Sequence, residues 1–248
     1  MREEVQQPII GSENSKDLVS ISPSRINSRF LVQWIFACAI GYAVGMYASV
    51  VAGERIGYSF WDNAVNFLGL GQEIGKYNYV FASALMGAVF GGAISFSQWF
   101  VLRKYLTNSI WWIWVGLICN SAIPTLNSIA YTMISFRVSN LQVDDWRFQV
   151  SIFIFNILGS VVNGVFEWLI LRTTFTKPNL WMVIRVIANI ITLGLSNLYL
   201  KINPLLSEIG IGRFFGMVLL GLICGGLFGL MSGFTLSSFP RKRFKFEQ

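Results

Sequence analysis

The sequence predicts an all-α, polytopic membrane protein of about six transmembrane helices in three pseudo-repeated hairpins. Three observations carry that expectation. Hydrophobic residues make up 54% of the 248 and charged residues only 12%, with a mean hydropathy of +0.57, more apolar surface than a globular core can hide. The charges gather in short clusters between apolar runs of about twenty residues, the length that crosses a hydrocarbon layer of about 30 Å. One pattern also occurs twice, Gln98-Trp99-Phe100-Val101-Leu102-Arg103 and Glu167-Trp168-Leu169-Ile170-Leu171-Arg172. Each places a polar residue, a Trp and a closing Arg at the end of an apolar run, as where a membrane helix reaches water.

In chain order, residues 1–29 are polar, carry both signs of charge with Pro8 and Pro23, and show no sustained period, the composition of a disordered tail. The run from Phe30 to Val51 is too long, and its leader too acidic, for a cleaved signal peptide ending near Val50-Val51-Ala52. It is the first of six expected spans, roughly 30–51, 79–102, 110–135, 149–171, 180–200 and 210–238. The third is interrupted by Asn120, Pro124 and Asn127, and a proline inside a membrane helix predicts a kink. In the connection 53–77, Ile56, Phe60, Trp61, Ala64, Val65 and Leu68 recur at helical spacing, which predicts a short interfacial helix. The membrane domain is thus 30–240, followed by a basic tail at 241–248.

Lysines and arginines set the expected orientation. With six spans, both tails and the second and fourth connections share one side, which holds twelve of them; the opposite side holds six, from Arg55 to Arg213. The bias places both termini in the cytoplasm. The basic balance is therefore a topology signal, and no nucleic-acid-binding pattern accompanies it. Arg241-Lys242-Arg243-Phe244-Lys245-Phe246 suits anionic lipid headgroups, at about 1 kcal/mol per cation near the surface.

Spans one, three and five open with tryptophans (Trp34; Trp111, Trp112 and Trp114; Trp181), while spans two, four and six are glycine-rich. Pairing them gives hairpins at 30–107, 110–177 and 180–240, the third with glycines where the others carry Gln98-Trp99 and Glu167-Trp168. Gln98 through Arg103, followed after a short turn by Trp111-Trp112, resembles the QWLVLR…W repeats of a family of multipass membrane proteins common in cyanobacteria and other bacteria. Glu167 departs from the family's usual Gln. The resemblance implies a fold and a bacterial inner-membrane or thylakoid location, and brings no activity with it.

Three constellations fall inside the spans. Glu167 and Arg185 flank one turn at matching depth and predict an intramembrane ion pair, either structural or a proton or ion site. Because the matching residue in the first motif is Gln98, Gln is expected to be tolerated at 167. Asn120, Asn163 and Asn189 lie at one depth, Asn127 and Asn156 at another, and the seven-residue spacings 120/127 and 156/163 keep each pair on one face. Such amides either join helices or line a polar site. Glycines at four-residue spacing, Gly41 and Gly45, Gly87 and Gly91, Gly212 and Gly216, and Gly221, Gly225, Gly229 and Gly233, form ridges for close helix packing.

The sequence has no histidine, no Walker lysine loop, no Cys-x-x-Cys, no nucleophile elbow and no carboxylate pair within a span. Cys38, Cys119 and Cys224 are scattered in apolar runs and read as small buried hydrophobes. Asp144-Asp145 reads as a solvated turn. The expectation is a non-enzyme without cofactor or metal. Its function is that of an accessory or scaffold subunit of a larger membrane complex, with lipid and other membrane subunits as partners. The alternative is a small-solute or ion transporter or binding protein that uses the Asn cluster and the Glu167–Arg185 pair.

Overall fold

The structure is a computed structural model that describes residues 28–67, 77–106, 108–137, 146–175, 178–208 and 212–239. Seven α-helices account for nearly all of them: α1 (Ser28–Val51), α2 (Tyr58–Phe67), α3 (Asn78–Leu102), α4 (Ile110–Arg137), α5 (Trp146–Thr174), α6 (Leu180–Glu208) and α7 (Arg213–Ser238). The chain is an integral membrane protein: six helical stretches are long and apolar enough to cross a bilayer. The N-terminal tail to residue 27, Asp144-Asp145 and the basic run 241–248 lie outside the described residues.

The spans fall where the apolar runs predict them, with one correction. The first does not stop at residue 51. A π-helical segment, Ala52–Gly57, joins α1 to α2 without a break, so Ser28–Phe67 is one 40-residue helix. At about 1.5 Å per residue it is roughly twice the hydrocarbon thickness, and its last turns run on past the apolar layer. The expected separate interfacial helix is therefore the continuation of this rod. Phe60 and Trp61 stack on Phe81 of α3 at 5.5 and 5.7 Å between ring centroids. Gly53 and Gly57 allow this: a Cβ on either would overlap Met86 or Ala82 of α3.

Each spanning helix packs on the one before and the one after it, and α7 closes onto α1, so the six form a ring. The seams α1/α7, α3/α4 and α1/α3 are the most extensive, and glycine faces build all three. Gly221, Gly225 and Gly229 leave no room for a Cβ against the α1 backbone at Ala43, Cys38 to Ala39 and Ile35, and Gly233 meets Leu31 and Trp34. Gly87 and Gly91 face the α4 backbone at Asn120 and Gly116, while Gly41 and Gly45 face α3 at Ile94, Ser97 and Phe90. Gly216 packs on the Tyr199 ring, whereas Gly212 meets nothing. Close backbone approach substitutes for the hydrophobic force that lipid cannot supply.

The helix α4 runs unbroken through Pro124. A proline lacks the N–H that would bond the carbonyl four residues back, here Asn120, and that carbonyl oxygen points at Gly87. The outer face of the ring is apolar: on α1, Val32, Phe36, Ile40 and Val44 are exposed while Phe30, Trp34, Cys38 and Tyr42 are buried. Outward apolar stripes of this extent need lipid against them.

Candidate functional site

Near the end of the ring where α1 begins and α7 ends, three tryptophans meet on the bundle axis. Trp34 on α1, Trp112 on α4 and Trp181 on α6 are each at most 1% exposed. Their ring centroids form a triangle of 6.3, 6.4 and 5.8 Å with edge-to-face contacts, the geometry aromatic quadrupoles prefer. Each indole N–H donates to a buried polar side chain: Trp112 to Gln98 Oε1 at 2.8 Å, Trp181 to Glu167 Oε2 at 2.9 Å and Trp34 to Ser232 Oγ at 2.9 Å. In the first two cases donor and acceptor are 14 residues apart. Four residues beyond each acceptor stands a buried leucine, Leu102, Leu171 or Leu236. Together these layers form a closed floor.

The third hairpin therefore keeps a polar residue where the sequence reading placed only glycines. Ser232 takes the role of Gln98 and Glu167, and its tryptophan is Trp34 at the far end of the chain, brought there by the α1/α7 seam. The tryptophans of the motif itself serve differently. Arg103 lies over Trp99 at 5.2 Å and Phe100 at 4.2 Å, and Arg172 over Trp168 at 5.2 Å. These are cation–π contacts at exposed helix ends, worth about 0.5–1 kcal/mol. Ser232→Ala is expected to cost about 1–3 kcal/mol by leaving the Trp34 indole N–H without an acceptor. Adding Trp34→Phe removes that orphan and should recover part of the loss in a thermal melt.

Above the floor opens a cavity of about 510 Å³ to which all six spanning helices contribute. It reaches from Tyr42, Asn163, Arg185 and Phe228 to Glu54, Tyr58 and Tyr79 at the opposite end of the ring, where Glu54 and Tyr79 are exposed. Asn120, Asn127, Asn156, Asn163 and Asn189 all line it. The structure thus brings the whole asparagine set and Arg185 to one space.

How the amides are used decides what they do. Asn120 and Asn156 donate to carbonyls of their own helices, Gly116 at 2.7 Å and Ile152 at 2.8 Å, and Asn189 donates across to Asn156 O at 3.1 Å. Only the last joins two helices. Because the NH₂ must face a carbonyl, the amide oxygen of each is directed away from it. None of the five Oδ1 atoms accepts a hydrogen bond among the described residues, and those of Asn127 and Asn163 are buried without a partner. A buried acceptor left unpaired costs about 1–3 kcal/mol.

The buried charges sit at the edge of the floor. Arg185 Nη2 lies 3.4 Å from Glu167 Oε1, with Glu167 1% and Arg185 9% exposed. The contact is single-pointed. The guanidinium reaches across to α7 and stands 4.9 Å over the Phe228 ring. Glu167 does not line the cavity; Arg185 does. One turn before the acceptors Gln98 and Ser232 stand buried Ile94 and Phe228, whereas before Glu167 stands Asn163. One turn after Trp34 and Trp112 stand Cys38 and Gly116, whereas after Trp181 stands Arg185. Both departures from an apolar or small residue, Asn163 and Arg185, fall on α5 and α6.

The sequence reading missed the tryptophan floor and the aromatic walls Tyr42, Phe90 and Phe228. The signal for the first was present: Gln98 to Trp112 and Glu167 to Trp181 share one offset. Among the described residues no group of acidic, Cys or His side chains is placed to hold a metal ion, and the three cysteines are free and buried. No protein-family model, curated protein or solved structure matches the chain.

Proposed function

We propose that this protein binds a small polar solute in the interior of its helix ring and serves as its carrier or receptor in the membrane. One observation carries the reading: five intramembrane asparagines whose amide oxygens accept no hydrogen bond among the described residues line one cavity with a buried guanidinium. Amides retained only to join helices would spend both ends on neighbouring helices. A volume of about 510 Å³ lies in the range of small-molecule pockets, roughly 300–1,000 Å³. The glycine faces that would suit an accessory or scaffold subunit are occupied within the chain, Gly212 excepted.

The charge bias puts both tails in the cytoplasm, so the cavity mouth at Glu54 and Tyr79 opens to the outer side and the tryptophan floor closes the cytoplasmic one. The three hairpins descend from one repeated unit, of which α5 and α6 acquired the polar groups. The resemblance to multipass proteins with QWLVLR-type repeats suits a bacterial inner or thylakoid membrane.

The first test is access. Asn127→Cys is expected to react with a membrane-impermeant maleimide added from outside to intact cells, while the wild type, whose cysteines are buried, stays unlabelled. Protection of the introduced thiol in open membranes and cells alike would show the space closed to water. The second test is binding. A bound solute at a hundredfold excess over its Kd raises stability by about 2.7 kcal/mol, visible as a shift of the melt, and Asn163→Leu should abolish that shift while melting at a temperature near that of the wild type.

A further inference from the structure

Resting on the solute-binding reading above, we propose that the cavity takes a zwitterionic solute of amino-acid size, its carboxylate on the Arg185 guanidinium and its ammonium on the amide oxygens of Asn163 and Asn189. The inner end of the cavity presents a cation. Arg185 has no hydrogen bond from its N–H groups among the described residues, and its one charge partner stands at 3.4 Å, beyond a strong hydrogen bond. A planar guanidinium in this state is suited to a carboxylate, which it meets with two parallel N–H donors.

The next layer outward presents acceptors. Asn189 follows Arg185 by one turn on α6, and Asn163 precedes Glu167 by one turn on α5, about 5–6 Å along the helices. The stem of Arg185 passes 3.5 Å from where a Cβ on Gly164 would stand, so the guanidinium and Asn163 share one wall. Asn163 is 2% exposed and its Oδ1 has no partner. An ammonium has three donors and no acceptor, which matches a wall of carbonyl oxygens.

Net charge separates the zwitterion from simpler ions. Glu167 already balances Arg185, so a lone anion would leave the site with an uncompensated negative charge, and a lone cation would face the guanidinium. Either is costly where the dielectric is low. A zwitterion adds no net charge and places each of its ends against the opposite partial or full charge.

The test is calorimetric titration of the full chain in lipid nanodiscs with four probes: L-serine, L-lactate, ethanolamine and urea. L-Serine is expected to bind, with lactate, which lacks the ammonium, and ethanolamine, which lacks the carboxylate, each at least tenfold weaker. Asn163→Leu should weaken serine at least tenfold. The double variant Glu167→Gln, Arg185→Gln, which keeps an acceptor for Trp181 and strands no charge, should elute as folded protein and bind no serine. Lactate binding as tightly as serine would overturn the ammonium subsite, and ethanolamine or urea binding as tightly would overturn the carboxylate subsite. Either result leaves the cavity reading standing. If none of the four binds while the thiol of Asn127→Cys is labelled from outside, the zwitterion is overturned and the cavity stands; if none binds and that thiol is protected, both fall.

Discussion

Glu167→Gln is expected to abolish accumulation of the protein in the membrane, and Glu167→Gln with Arg185→Gln to restore it. The sequence alone argues that Gln is tolerated at 167, because Gln98 holds the matching place. The geometry reverses this. Gln98 accepts from Trp112 and donates to Cys38 Sγ, neither of them charged, whereas Glu167 holds Trp181 on one oxygen and the Arg185 guanidinium on the other. A neutral amide keeps the first and abandons the second. Removing one member of a buried ion pair costs about 3–5 kcal/mol, because the survivor stays charged and desolvated, and a domain has only about 5–15 kcal/mol to lose. In the double variant the amide introduced at position 167 faces Trp181 as Gln98 faces Trp112, and no charge is stranded. Fluorescence-detected size exclusion of tagged variants reads the outcome. Normal amounts and an unchanged melt for Glu167→Gln alone would mean that Arg185 finds its compensation elsewhere.

What was legible in the sequence is what depends on local chemistry. Span positions follow from apolar runs, since a backbone in lipid must satisfy its hydrogen bonds as helix. The Asn layer and the Glu167–Arg185 pair were legible because depth can be counted from the tryptophan-marked helix ends. The continuation of α1 was not. Glu54 and Arg55 end the apolar run, yet the helix persists because Gly53 and Gly57 let it lean on Met86 and Ala82 of α3, a tertiary contact with no local mark. The floor was half legible. Attention falls on Trp99 and Trp168 because they adjoin the polar residue, but on a helix neighbours in sequence point in different directions, and the indole that reaches Gln98 or Glu167 comes from the next helix. Ser232 left no trace at all, since its tryptophan is 198 residues away. The use of the amides was illegible for a related reason: sequence places an Asn at a depth, and only coordinates show which end of the amide is spent.

The ring also makes its closing seam testable against the idea that span six docks a second protein. Gly225 and Gly226 are adjacent in α7 and point about 100° apart, the first against α1 and the second into open space. A Cβ on Gly225 would overlap the Cys38 carbonyl oxygen and press on Ala39 Cα and Tyr42 Cβ, mostly backbone that cannot yield, while a Cβ on Gly226 meets nothing within 4 Å. Gly225→Ala is therefore expected to lower stability by about 1–3 kcal/mol, the usual cost of overpacking. Gly226→Ala should be neutral or gain up to about 1 kcal/mol, since alanine loses less backbone freedom than glycine in a helix. The α1/α7 seam carries Trp34 to Ser232, so the Gly225 change should reach the floor as well and alter the tryptophan fluorescence of the folded protein. A ridge kept for another chain behaves otherwise: Gly225→Ala would then leave the melt of the isolated chain unchanged and act only on the size of the assembly. Monomer stability and oligomeric size measured on the same two variants therefore separate a seam that closes the ring from one that recruits a partner.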